Sequence, residues 1–90
     1  MPEQTLVTVY RTRSCPFCVM AAKLLDQIDA AVEEVFLDDH PDRSGFTHGI
    51  LPGHYTVPLI LVGDRPIGGF SELRRMQESG DLQGLLRGAG

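Results

Sequence analysis

Apolar residues recur with two different periods along this chain, and the changes of period mark its elements. Residues 5–10, TLVTVY, are β-branched and aromatic, and their alternation sets Leu6, Val7 and Val9 against packed layers, which predicts a strand buried on both faces. From Pro16 the period lengthens. Phe17, Met20, Ala21, Leu24, Leu25 and Ile28 repeat at helical spacing while Lys23, Asp26 and Gln27 fall on the opposite side, so a helix is predicted over 16–30. VEEVFL at 32–37 predicts a second strand. Strand, helix and strand in this order make a βαβ unit with parallel strands and a right-handed crossover.

The middle of the chain is more broken. Pro41, Gly45, Gly49, Pro52 and Gly53 leave room only for a short helix around 43–51. PLILVG then predicts a third strand, and Gly63-Asp64 followed by RPIGG a tight turn into a short fourth one, a hairpin signal. Gly68-Gly69 breaks that strand. Ser71 is the expected N-cap of a helix over 72–79, which Gly80 ends. Residues 81–87 read as one or two helical turns with Leu82, Leu85 and Leu86 inward, before a Gly-Ala-Gly tail expected to fray.

Composition limits the classes open to such a chain. With 90 residues it buries too little surface for two independent cores, so 1–90 is expected to be one domain. A hydrophobic fraction of 42% and a charged fraction of 22% are ordinary for a globular protein. The net charge of -4 offers no basic patch dense enough for nucleic acid or anionic lipid, so neither is an expected partner. No basic stretch followed by a long apolar one opens the sequence, and the reducing cytoplasm is the expected compartment. In that compartment a close cysteine pair is more often catalytic, redox-sensing or metal-binding than permanently bridged.

Cys15 and Cys18 are such a pair, placed where a strand gives way to a helix in Ser14-Cys15-Pro16-Phe17-Cys18. With Cys15 as N-cap, Pro16 occupies the first helical position, where its missing N–H costs nothing. The amides of Phe17 and Cys18 and the positive end of the helix dipole then favour a thiolate on Cys15. That makes Cys15 the expected nucleophile. Cys18, one turn on, is placed to attack a mixed disulfide formed on Cys15 and release the substrate. Two other readings suit the same pair. One is a pair of inert core thiols, and the other is zinc held with two of His40, His48 and His54. Zinc suffers because His48 and His54 are spaced too widely and no second knuckle follows.

These stretches together, VTVYRTRSCPFC, TVPLILVGDRPIGGF and SELRRMQESGDLQGLL, resemble the glutaredoxin family along nearly the whole chain, in its dithiol form. The resemblance implies a thioredoxin-like α/β fold, a four-stranded mixed sheet flanked by helices, with the first two strands parallel and the last two an antiparallel hairpin. It implies a glutathione-dependent thiol–disulfide oxidoreductase with no tightly bound cofactor. Its partners would be glutathione and disulfide-bonded or glutathionylated proteins, and it would act as a monomer. By similarity the bond before Pro58 is cis, and Val57 pairs with the cysteinyl part of glutathione. Phe17 walls the site, while Gly69, Phe70, Ser71 and Glu72 take the γ-glutamyl end. Taken by themselves, Pro58 also suits the start of an edge strand and Gly68-Gly69 a plain turn.

Departures from the family pattern weaken the glutathione reading. Family members usually carry Lys where this chain has Thr12, and often Arg or Gln around Tyr55 and at Leu59. Arg11 or Arg13 are the expected substitutes for these cations, or else solvated surface charges, and His54 is either a further carboxylate partner or a surface or turn histidine. The acidic run Glu33, Glu34, Asp38, Asp39 and Asp42 reads as a solvated edge. Alternatives for the chain are a redoxin served by a thioredoxin-type reductase, a [2Fe–2S] cluster-binding module, or a module that docks extended peptides beside Pro58.

Overall fold

A computed structural model describes residues 5–87. In chain order it contains β1 (Val7–Arg11), α1 (Pro16–Gln27), β2 (Val32–Phe36), α2 (Arg43–Ile50), β3 (Leu59–Val62), β4 (Arg65–Gly68), α3 (Phe70–Ser79) and α4 (Asp81–Leu86). The sheet order is β2-β1-β3-β4. β1 runs parallel to β2, with Val9 opposite Glu34, and antiparallel to β3, with Val9 opposite Ile60. β3 and β4 form the expected hairpin, with an irregularity between Ile60 and Leu61.

The alternation of β1 divides its side chains cleanly. Val7 and Val9 are fully buried and join Ala21 and Leu25 of α1, Ile60 and Val62 of β3, Leu73 of α3 and Leu82 and Leu86 of α4 in one core. On the other face Tyr10 meets Phe46 of α2 edge-on at 5.1 Å. Leu6, expected to be packed, precedes the strand and is 45% exposed. The strand starts two residues later than expected because Val7 is the first residue to pair with both neighbours.

Two helix boundaries differ from the periodicity. α1 stops at Gln27, short of the expected 30, because Asp29 turns left-handed at φ 56. The Ala30 amide then bonds the Leu25 carbonyl at 3.0 Å and the Asp29 amide that of Asp26 at 3.1 Å, which is a Schellman ending with aspartate in the usual glycine place. At its far end α3 begins at Phe70 with Gly69 as N-cap, so Ser71 is an exposed first-turn residue and not the cap. Glu72 supplies the missing acceptor by taking the Gly69 amide at 2.7 Å. α2 closely matches the expected short helix, with Asp42 accepting the Gly45 amide at 3.0 Å. The tail expected to fray at 88–90 lies outside the described residues.

Candidate active site

Cys15 caps α1 from the end of the β1–α1 connection, and its Sγ accepts the Cys18 amide at 3.2 Å. Its own S–H reaches toward the Val57 carbonyl at 3.8 Å. Losing the proton removes the second contact and strengthens the first, because an amide donor bonds a charged sulfur better than a neutral one. Pro16 occupies the first helical turn as expected. Cys15 is half-buried whereas Cys18 is fully buried, and both are free thiols.

Burial pushes the Cys18 thiol up to about 12; the neighbouring Cys15 adds to the rise, while the Thr12 backbone and the Arg11 guanidinium oppose it. Cys18 therefore keeps its proton at neutral pH while Cys15 faces solvent and substrate. The two differ further in access. We expect native protein between about pH 7 and 9 to take one equivalent of iodoacetamide, at Cys15, and the second only after unfolding. Two native adducts of similar rate would contradict this assignment. Since the folded-state value is raised, the stability that Cys18 contributes is complete below about pH 8.5, a free thiol's range. It is lost as the pH rises toward 12.

Beside the cysteines lies a cleft of about 200 Å³ lined by Phe17, Val57, Pro58, Gly69, Phe70, Ser71 and Glu72, together with His54 and Thr56. All seven residues assigned to ligand binding by resemblance thus come together. The Val57–Pro58 bond is cis. Phe17 is 58% exposed and its ring stands 6.2 Å from that of Phe70. Opposite, Gly69 is buried, and a methyl group built there would lie in ordinary contact with the Pro58 carbonyl and His54.

Arg11 and Arg13 are not at this cleft, and Arg11 is no solvated charge. Arg11 is 8% exposed, bonds Glu34 at 2.6 Å and lies over the Phe36 ring at 5.0 Å. Arg13 covers the same ring at 5.0 Å, with its amide on Asp38 at 3.1 Å and its guanidinium 3.4 Å from that carboxylate. Glu34 and Asp38 thereby leave the supposed solvated edge and tie the β1–α1 connection to β2. Alternation along β1 places Arg11 on the same inward face as Val7 and Val9, a signal legible in the sequence. His54 spends its Nε2 on the Pro58 carbonyl at 3.1 Å, and because a carbonyl only accepts, that nitrogen carries the proton. A bond between residues 54 and 58 across a loop has no sequence signature. Among the described residues no group of His, Cys, Asp and Glu is arranged to hold a metal ion.

A parallel-antiparallel four-stranded sheet with a Cys-Pro-x-Cys pair capping the first helix and a cis-proline beside it defines a thioredoxin-like dithiol redox protein. The family model for glutaredoxin matches residues 7–67. A curated glutaredoxin of Neisseria meningitidis is 37% identical over 81 residues, covering 89% of this chain and 94% of its own. Glutaredoxin-C2 of Arabidopsis thaliana is 35% identical, covering 93% and 78%. Among solved structures, a glutaredoxin from Brucella melitensis superimposes with TM-score 0.84 at 26% identity over 98% of this chain and 95% of that one. The buckwheat glutaredoxin–glutathione complex gives 0.79 at 28% over 89% and 74%. This chain belongs to the glutaredoxin family and is a thiol–disulfide oxidoreductase.

Proposed function

We propose that the protein reduces glutathione mixed disulfides and protein disulfides with Cys15 as nucleophile and glutathione as the electron donor. The observation that carries this reading is the convergence of Phe17, Val57, Pro58 and residues 69–72 on one cleft at the Cys15 sulfur. A glutathione-bound relative of the same architecture supports the choice of thiol. Cys15 thiolate attacks the glutathione sulfur of a mixed disulfide, forming the Cys15–glutathione disulfide and releasing the target as thiolate. A second glutathione thiolate then attacks the bound glutathione sulfur, so that glutathione disulfide leaves and the Cys15 thiolate returns. With a protein disulfide, Cys15 thiolate attacks one target sulfur and releases the other as thiolate; Cys18 then loses its proton and attacks the Cys15 sulfur, releasing the second target thiolate and leaving the intramolecular disulfide, which two glutathiones reduce. Glutathione is consumed as substrate in both routes. We place this activity in the cytoplasm, carried out by a single-domain monomer.

The α3 start suits the γ-glutamyl end: amides at a helix N-terminus face a carboxylate, and Glu72 offers its second oxygen to the ammonium. A thioredoxin-type reductase is the alternative donor, favoured by one observation. The cleft lining includes no lysine or arginine to meet a glycine carboxylate.

Coupling the reaction to glutathione reductase and NADPH with a small glutathione mixed disulfide tests the choice. We expect turnover by the wild type, and Cys18→Ser to keep activity within about threefold, because glutathione resolves the intermediate without it. No turnover with glutathione, but turnover with thioredoxin reductase, would transfer the reading to the alternative donor.

A further inference from the structure

Beyond the Phe17–Phe70 ring pair the surface continues as an open groove between α1 and α3. Two overlapping stretches of about 320 and 440 Å³ share Met20, Phe70, Arg74 and Glu78. Its wall is apolar and exposed where soluble proteins usually cover such residues: Phe17 is 58% and Met20 44% accessible. Phe17 and Phe70 also line the cleft at Cys15, so a chain lying in the groove delivers its end to the nucleophile.

The charge of this groove runs against that of the molecule. The whole chain carries -4, yet Lys23, Arg74 and Arg75 line the groove against the single carboxylate of Glu78. Glu78 is 3.3 Å from Arg74 along one turn of α3. Arg75 and Lys23 pair with no carboxylate among the described residues. Exposed cations concentrated beside an apolar strip select a partner by sign before contact.

We propose that this groove docks protein targets whose reducible cysteine is flanked by apolar residues and an acidic run. The inference rests on Cys15 being the nucleophile of the reaction above, and it adds the class of target. The apolar residues cover Met20 and the Phe17–Phe70 pair, and the acidic run meets Arg75, Arg74 and Lys23. Small glutathione mixed disulfides stay in the Cys15 cleft, whose lining does not include Met20, Lys23, Arg74 or Arg75, and are indifferent to those four residues.

Two labelled peptides test this, each with one cysteine beside two leucines and then four residues, all Glu in one and all Lys in the other. With that cysteine replaced by serine, fluorescence anisotropy reads docking without any redox step. We expect the acidic peptide to bind at least about fivefold tighter, a preference that shrinks between 50 and 300 mM salt as charges are screened. The Arg74→Glu/Arg75→Glu variant should abolish or reverse it, and Arg74→Gln/Arg75→Gln should lose about half of the effect on a logarithmic scale. As glutathione mixed disulfides, the peptides should show the same order in KM with little change in kcat. The small mixed disulfide should be turned over equally by every variant. Equal affinities for both peptides, or a preference that survives charge reversal, would overturn the proposal. Absence of turnover with intact anisotropy preference would instead count against glutathione as donor and leave the docking surface standing.

Discussion

Cys15→Ser is expected to lower disulfide reduction at least about a thousandfold with either a small mixed disulfide or a protein substrate. Serine preserves the cap of α1, because its hydroxyl oxygen can accept the Cys18 amide that the sulfur accepts at 3.2 Å. The fold and its melting temperature should therefore change little. What is lost is the sulfur itself, since a hydroxyl oxygen is a far weaker nucleophile toward a disulfide and cannot form the mixed disulfide that carries the reaction. Cys18 is not available as a substitute. It is fully buried, and its thiol is pushed up to about 12. Residual activity above a tenth of wild type in Cys15→Ser would mean that Cys18 acts as a nucleophile by itself, and the division of labour between the two would have to be reversed.

Gly68→Ala should destabilise the protein by about 1–3 kcal/mol and lower its melting temperature by roughly 5–20 °C. Gly68 holds φ 119, a conformation L side chains rarely take. An added Cβ would also lie 2.8 Å from Glu72 Oε1 and 2.9 Å from its Cγ. Glu72 cannot retreat freely, because that oxygen holds the Gly69 amide at 2.7 Å and so starts α3. The substitution therefore strains the backbone and displaces a residue of the cleft together. For this reason KM for the glutathione substrate should rise more than kcat falls. Glu72→Gln separates the two effects: its amide oxygen can still cap Gly69, so stability should fall by less than about 1 kcal/mol while KM still rises with the lost charge. A Gly68→Ala protein that melts with the wild type would contradict this account of the turn.

The neighbouring glycines illustrate how far local sequence carries. Gly68 and Gly69 read alike as strand breakers, but one is required by its own backbone angle. The other has ordinary angles, and a methyl there would only come into ordinary contact with Pro58 and His54 across the cleft. That distinction depends on what the fold brings opposite. Likewise, Ser71 was the better capping residue by type, yet Glu72 reaching back to Gly69 set the helix start two residues earlier.

The βαβ order, the closing hairpin and the cysteine pair at a helix start were legible along the chain, as were, through resemblance, the cis Val57–Pro58 bond and the cleft residues. These are local or motif properties: hydrophobic period, the fixed φ of Pro16, and a spacing of three between thiols. The fates of the charges came from the packing of distant elements. Arg11 and Arg13 lay next to the nucleophile in sequence and were natural candidates to meet a substrate anion, but the parallel pairing of β1 with β2 brought Glu34, Phe36 and Asp38 beside them. The same assembly set α3 beside α1 and placed Arg75 and Lys23, which pair with no carboxylate among the described residues, near exposed Met20. A charge acts on whatever lies within several ångströms of it, and for a long side chain those neighbours come from strands and helices far away along the chain.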